Sequence, residues 1–204
     1  MSSEWCENFV SLVDEKISIA EGLGGSFEEE KDAMRIAFRD NKKRKDISFV
    51  TSTYGSFAEP ERDILVLLEK SLDEMREDHY KVCDSGPSRW TSCEKIVLKI
   101  QKTPPDGGFS VWHYEQGSGI GDIARRWGVW MLYLNDVEHG GKTDFPRQGV
   151  SVKPEQGSLV IWPAAYTHPH RGAPDLKEDK YVVTGWFQYW IEGESKVERE
   201  VSRV

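Results

Sequence analysis

From about residue 94 to residue 191 the chain is a succession of short apolar runs separated by Gly, Pro, Asn and Asp. Lys95 to Thr103 alternates, with Ile96, Leu98 and Ile100 at one parity and Lys95, Lys99 and Gln101 among the others. Pro104, Pro105, Asp106, Gly107 and Gly108 make a turn, and Phe109 to Glu115 reads as the next strand. A Gly-rich loop, Gly117 to Asp122, leads to Trp127–Leu134, which is apolar throughout, the pattern of a central strand covered on both faces. Further strands are expected near Thr143–Phe145, Val150–Lys153, Ser158–Trp162 and Lys180–Ile191. Many short strands with Gly/Pro turns close into a sandwich or barrel.

The first half reads differently. Residues 3–19 place Trp5, Phe9, Leu12, Val13 and Ile17 at helical spacing, and Gly22, Gly24 and Gly25 end the run. A second helix is expected over 28–40, with a weak stripe from Ile36 and Phe38, and a short strand over Ile47–Thr51. Pro60 opens a helix to about Tyr80, with Ile64, Leu65, Leu68, Leu72 and Met75 on its apolar face. The expected organisation is α+β in one domain, 1–204: a mainly helical support over 1–92, a β-core over 93–192 and a charged tail over 193–204.

Composition narrows the function classes. A net charge of −8 argues against nucleic acid or an anionic membrane as a partner. The one basic run, Lys42 to Lys45, sits among acids and reads as a solvated loop. No long apolar run suggests a membrane span, and the acidic N-terminus has no signal-type apolar core, so a cytoplasmic location is expected. Cys6, Cys83 and Cys93 make an odd number without metal-type spacing, which suits free thiols in a reducing compartment. Six of the eight tryptophans lie between Trp112 and Trp190, chiefly as β-core residues, with room for one or two at a substrate surface.

Between Tyr166 and Trp186 two histidines, His168 and His170, precede a Gly/Pro turn, and Lys180 opens an apolar strand. Alternation puts Lys180, Val182, Thr184 and Trp186 on one face of that strand and Tyr181, Val183, Phe187 and Tyr189 on the other. A cation and a hydroxyl on one buried face can together hold a carboxylate. A strand-end lysine that reaches solvent beside a threonine chosen for strand propensity is the plainer alternative. Two residues apart, His113 and Glu115 share a parity, and with either late histidine they would make a 2-His-1-carboxylate set with open positions, the type suited to non-haem Fe(II).

Taken in order, these pieces resemble the 2-oxoglutarate/Fe(II)-dependent dioxygenases, specifically the prolyl 4-hydroxylase-like branch. The likeness runs through Gly-Phe-Ser-Val-Trp-His113-Tyr-Glu115, Met-Leu-Tyr133-Leu-Asn-Asp-Val and Gly140-Gly-Lys-Thr-Asp-Phe-Pro. It continues in Val-Lys-Pro-Glu-Gln-Gly157-Ser-Leu-Val-Ile-Trp-Pro, His170-Arg-Gly-Ala-Pro and Lys180-Tyr-Val-Val-Thr184-Gly-Trp186. The resemblance implies a double-stranded β-helix (jelly-roll) core, Fe(II) held by His113, Glu115 and His170, and 2-oxoglutarate as co-substrate. It implies Lys180 on the distal carboxylate of 2-oxoglutarate, with Thr184 and Tyr133 adding hydrogen bonds, and ascorbate as an accessory reductant. His168 then becomes a supporting neighbour of the metal site. Arg126 and Trp186 are candidate substrate contacts, with Arg125 and Arg171 as further cations.

The implied reaction is hydroxylation of an unactivated C–H bond, on a prolyl residue of a peptide or protein or on a small molecule, with release of succinate and CO2. Two departures stand out: Glu115 occupies the position where the family usually has Asp, and no tyrosine lies between Gln101 and Pro104, which leaves Thr103 or nothing for that place. Two rival readings follow, a jelly-roll binding module without turnover and a cupin-type metal enzyme that uses no 2-oxoglutarate. Neither the oligomeric state nor the primary substrate is written in the sequence.

Overall fold

The computed structural model describes residues 1–22, 28–29, 34–41, 44–50, 58–82, 99–117 and 121–189. The expected tail over 193–204, Cys83, Cys93, Lys42 and Lys43 lie outside the described residues. Helix α1 spans Ser3–Gly22 and α2 spans Ala58–Val82. In α1, Cys6, Phe9, Val13 and Ile17 recur every three or four residues and are buried; in α2, Ile64, Leu68 and Leu72 recur every four. Pro60 sits in the first turn of α2, where its missing N–H leaves no helical bond unmade. None of the described helices is long and apolar enough to cross a membrane.

The helix expected over 28–40 does not form. Strand β1 is Glu28–Glu29, β2 is Met34–Asn41, and β2 pairs antiparallel with β3, Arg44–Val50, from Arg35↔Val50 to Asn41↔Arg44. The reason is in the spacing: Met34, Ile36 and Phe38 alternate with Arg35 and Arg39, a period of two that suits a strand, here between β1 and β3, and gives no helical stripe.

Downstream lie β4 (Lys99–Thr103), β5 (Gly108–Phe109), the short α3 (Asp122–Arg125), β6 (Arg126–Tyr133) and β7 (Thr143–Phe145). They are followed by β8 (Val150–Val152), β9 (Leu159–Pro163), β10 (Arg171–Gly172) and β11 (Lys180–Gln188). Among the described residues the larger sheet runs β1-β2-β3-β4-β11-β6-β9, with β5 also on β3, and the smaller runs β10-β7-β8. All pairings are antiparallel.

The strand expected over Phe109–Glu115 ends at Phe109. Beyond it the chain makes one isolated antiparallel bridge, His113↔His170. That bridge, with Glu115 N–H donating to the Ala164 carbonyl at 3.1 Å, fixes the segment.

Strand β11 lies between β4 and β6 and separates two environments. On one face Tyr181, Val183 and Phe187 join Ile100, Trp130 and Leu132 in a buried cluster that includes the apolar stripes of α1 and α2. Facing the other way, Val129 and Trp162 pack with Phe145 of the smaller sheet and with Ala164. Tyr189, expected on the packed face, is 59% exposed, because a register irregularity at Phe187/Gln188 breaks the alternation. The space between the two sheets is where the chemistry-bearing side chains meet.

Candidate metal centre

Directly opposed residues in antiparallel strands share a face, so register alone assembles one wall of the cavity. Lys180 faces Thr103, Val182 faces Gln101 and Tyr133, and Thr184 faces Lys99 and Met131. The resulting cavity is about 330 Å³, within the range of small-molecule sites. Although the chain carries −8 overall, four cations (Lys99, Arg126, Arg171 and Lys180) line this cavity against one carboxylate, Glu115.

His113, Glu115 and His170 converge there, with one ligand atom from each lying within 4.8 Å of the others. Glu115 Oε1 is 3.4 Å from His113 Nε2 and 3.9 Å from His170 Nε2. Each imidazole has its Nδ1 against a backbone carbonyl two residues back, Val111 at 2.8 Å for His113 and His168 at 3.1 Å for His170. A carbonyl only accepts, so Nδ1 carries the proton and the Nε2 lone pair is left for the centre. Burial, the largest influence on His170, holds its pKa below the ordinary histidine value, which favours the neutral, ligating form. Aromatic neighbours limit the rings: Phe109 lies 4.7 Å from His113 and Trp162 lies 5.0 Å from His170, centroid to centroid. Two imidazole Nε2 atoms and a carboxylate oxygen turned to one point fit a divalent first-row metal.

Burial pushes the Glu115 pKa up, but its neighbours His113, Arg126 and His170 together carry it below the usual glutamate value. Its second oxygen, Oε2, accepts from Arg126 Nη1 at 3.0 Å. The same guanidinium is stacked on the Trp186 ring, 3.8 Å from its centroid. Both candidate substrate contacts therefore line the cavity, and they do so as one stacked unit attached to Glu115.

Lys180 is 9% exposed, and its ammonium donates to the Gly141 carbonyl. Burial drops its pKa from 10.5 to about 8. Gly140 and Gly141 both have positive φ, 76° and 62°, and a Cβ at Gly140 would collide with the Asp175 backbone, so this turn toward Lys180 needs the glycine pair. Thr184 lines the cavity, but its hydroxyl donates to the Trp130 carbonyl at 2.7 Å. Tyr133 is fully buried behind the lining, with its hydroxyl 2.8 Å from Thr143 Oγ1, and Lys180 Nζ lies 5.3 Å from its ring centroid. Burial raises the Tyr133 pKa to about 12, which keeps it a neutral phenol.

His168 stands outside the three-residue cluster, and only its backbone carbonyl faces His170 Nδ1, at 3.1 Å. His139 is 78% exposed, near Glu178. Thr143 and the Gly141 carbonyl went unassigned on the sequence, although both lie in the Gly-Gly-Lys-Thr run; a hydroxyl two residues past a glycine pair was the available signal.

Residues 98–188 match the family model of the 2OG-Fe(II) oxygenase superfamily. Curated relatives include the prolyl 4-hydroxylase subunit alpha-1 of Gallus gallus, 37% identical over 65 residues, which is 28% of this chain and 13% of that protein. Another is the probable prolyl 4-hydroxylase 3 of Arabidopsis thaliana, 28% identical over 152 residues, covering 51% of this chain and 52% of that one. The matches thus span from about an eighth to about half the length of these relatives. Among solved structures, a Pseudomonas putida prolyl-4-hydroxylase aligns at TM-score 0.65 and 14% identity over 94% of this chain and 89% of that one. The viral collagen prolyl hydroxylase of Paramecium Bursaria Chlorella virus-1 aligns at 0.55 and 15% over 94% and 92%, so the likeness to both is one of fold. Over residues 98–188 the chain is therefore similar in sequence to the 2OG-Fe(II) oxygenase superfamily, and in shorter stretches to prolyl 4-hydroxylases.

Proposed function

We propose that the chain is an Fe(II)- and 2-oxoglutarate-dependent dioxygenase on a double-stranded β-helix core, and that it hydroxylates a C–H bond of a prolyl residue in a peptide. The observation that carries this reading is the meeting of His113, Glu115 and His170 in the same cavity as the buried cation Lys180. His113 Nε2, His170 Nε2 and Glu115 Oε1 would hold the iron. Lys180 would receive the distal carboxylate of the co-substrate, since a buried ammonium bonded to the neutral Gly141 carbonyl gains most from an anion. Thr143 stands beside it as a hydroxyl donor, and Tyr133 behind orients that hydroxyl. Thr184 would contribute to the carboxylate only by giving up its bond to Trp130.

When bound, Fe(II) and 2-oxoglutarate supply the oxidising power: dioxygen is divided between the co-substrate, which leaves as succinate and CO2, and the new hydroxyl. The chain's own residues do the positioning. Val129, Met131, Trp162 and Val182 give the cavity an apolar lining that excludes water around the reacting C–H bond. Beside His113 the rim is aromatic and open, Trp112 being 45% and Tyr114 51% exposed, with Arg171 stacked on Trp112 at 4.3 Å. Such a rim suits an extended peptide better than a free amino acid.

The test is succinate release from protein supplied with Fe(II), 2-oxoglutarate and a panel of proline-containing peptides, against free proline. Turnover should need all three components and favour peptide, ascorbate should sustain it over many cycles, and His113→Ala should abolish it while leaving the far-UV spectrum unchanged. Full turnover by a folded His113→Ala protein would overturn the site. Tight co-substrate binding without succinate from any substrate would leave the non-catalytic binding module as the better reading.

A further inference from the structure

A glutamate in the carboxylate position has one more rotatable bond than an aspartate and must lose that freedom to offer one oxygen to the centre. Here the second oxygen is taken up: Arg126 Nη1 bonds Glu115 Oε2 at 3.0 Å and approaches the Glu115 main-chain carbonyl at 3.4 Å. Arg126 is itself held. It opens β6, its side chain is 17% exposed, and its guanidinium lies 3.8 Å from the centroid of the Trp186 ring, on β11. Cavity wall, cation and carboxylate thus form one chain of contacts, Trp186–Arg126–Glu115, that ends at the two imidazoles.

We infer that Arg126, braced by Trp186, is a positioning residue for Glu115: it occupies Oε2, limits the carboxylate to one ligating oxygen and makes the longer side chain serve where a shorter one is usual. The inference rests on the metal-site reading above. It has an unusual sign. By Coulomb's law alone a guanidinium this close opposes a divalent cation, so deleting it would tighten metal binding. As a positioning group its deletion weakens metal binding instead, by about 10- to 100-fold, the range for groups that orient a ligand. Lysine, which keeps charge but lacks the planar fork, restores only part of the loss.

The experiment measures Co(II) affinity by calorimetry at pH 7.5, with no turnover involved, for wild type, Arg126→Leu, Arg126→Lys, Glu115→Ala and the Arg126→Leu/Glu115→Ala double variant. Arg126→Leu should weaken binding at least tenfold, with Arg126→Lys in between. In the Glu115→Ala background, where no carboxylate remains to be held, Arg126→Leu should leave binding unchanged or tighten it. Unchanged or tighter binding by the Arg126→Leu single variant overturns the inference. Equal weakening on both backgrounds also overturns it, by marking general damage to the fold. Wild type that does not bind Co(II) at all removes the metal-site reading and this inference with it, an outcome distinct from the other two.

Discussion

At the scale of single residues, Lys180 makes the sharpest demand. With its pKa at about 8 in the folded chain against 10.5 when exposed, the unfolded chain holds more protons than the folded one between those values. Below pH 8 both states are protonated and the folded state bears the full cost of a buried charge. Stability therefore rises as pH climbs from about 8 to 10.5, by about 3 kcal/mol in the limit. A bound dicarboxylate reverses the preference because it needs the ammonium. Above pH 8 the free protein must first take up a proton, so the Kd for 2-oxoglutarate with Mn(II) should rise by up to about tenfold per pH unit. Titration calorimetry from pH 7 to 9.5 checks this, and Lys180→Met should bind weakly with a flat profile. A flat profile in wild type would sink the assignment of Lys180 to the carboxylate. The lysine was legible because a charge opening an apolar run is anomalous on the sequence alone. The engagement of Thr184 with Trp130, and the withdrawal of Tyr133 behind Thr143, were not: a hydroxyl's parity shows its face, and its partner is set by residues up to 54 positions away.

Among the elements, those with a strong single period were read well and those without one were not. α2 carries Ile64, Leu68 and Leu72 four apart, and all three are buried against the sheet. Leu68 is 1% exposed, so Leu68→Ala should cost about 2–5 kcal/mol in chemical denaturation while the folded fraction keeps wild-type affinity for 2-oxoglutarate. A loss below 1 kcal/mol would show that α2 is not a stable part of the core. β11 and β6 were legible because alternation holds in the first up to the irregularity at Phe187/Gln188 and the apolar run is continuous in the second from Trp127 onward. β2 passes for a helix on the sequence because Met34, Ile36 and Phe38 give only three apolar points, too few to separate the two periods without the pairing to β3 that decides between them. The stretch carrying His113 and Glu115 shows the reverse case. Shared parity put His113 and Glu115 together, but one bridge to His170 and a bond to the Ala164 carbonyl set their geometry, without a continuous strand.

On the scale of the whole molecule, the candidate site belongs to neither sheet. Lys180, Thr184 and Trp186 come from the larger sheet, and Thr143 comes from the smaller one. Joining them are His113 and His170, which bridge a segment following β5 to one preceding β10. A metal and a dicarboxylate bound together would therefore add contacts between two layers that already meet through Val129, Trp162, Phe145 and Ala164 and through the Tyr133–Thr143 hydrogen bond. Ligands at about 100 times their Kd stabilise the folded state by about 2.7 kcal/mol, which for a domain of this size raises Tm by roughly 5–10 °C. Mn(II) with 2-oxoglutarate should produce such a shift in thermal unfolding, and His113→Ala should remove it. Hydrogen exchange then tells where the stabilisation goes. If the pair of ligands ties the layers together, amides of Thr143–Phe145 and of Lys180–Gln188 should slow in parallel, because opening either sheet would expose the same site. Slowing confined to Lys180–Gln188 would mean that the ligands rest on the larger sheet alone, and the assignment of Thr143 to the co-substrate would fall with it.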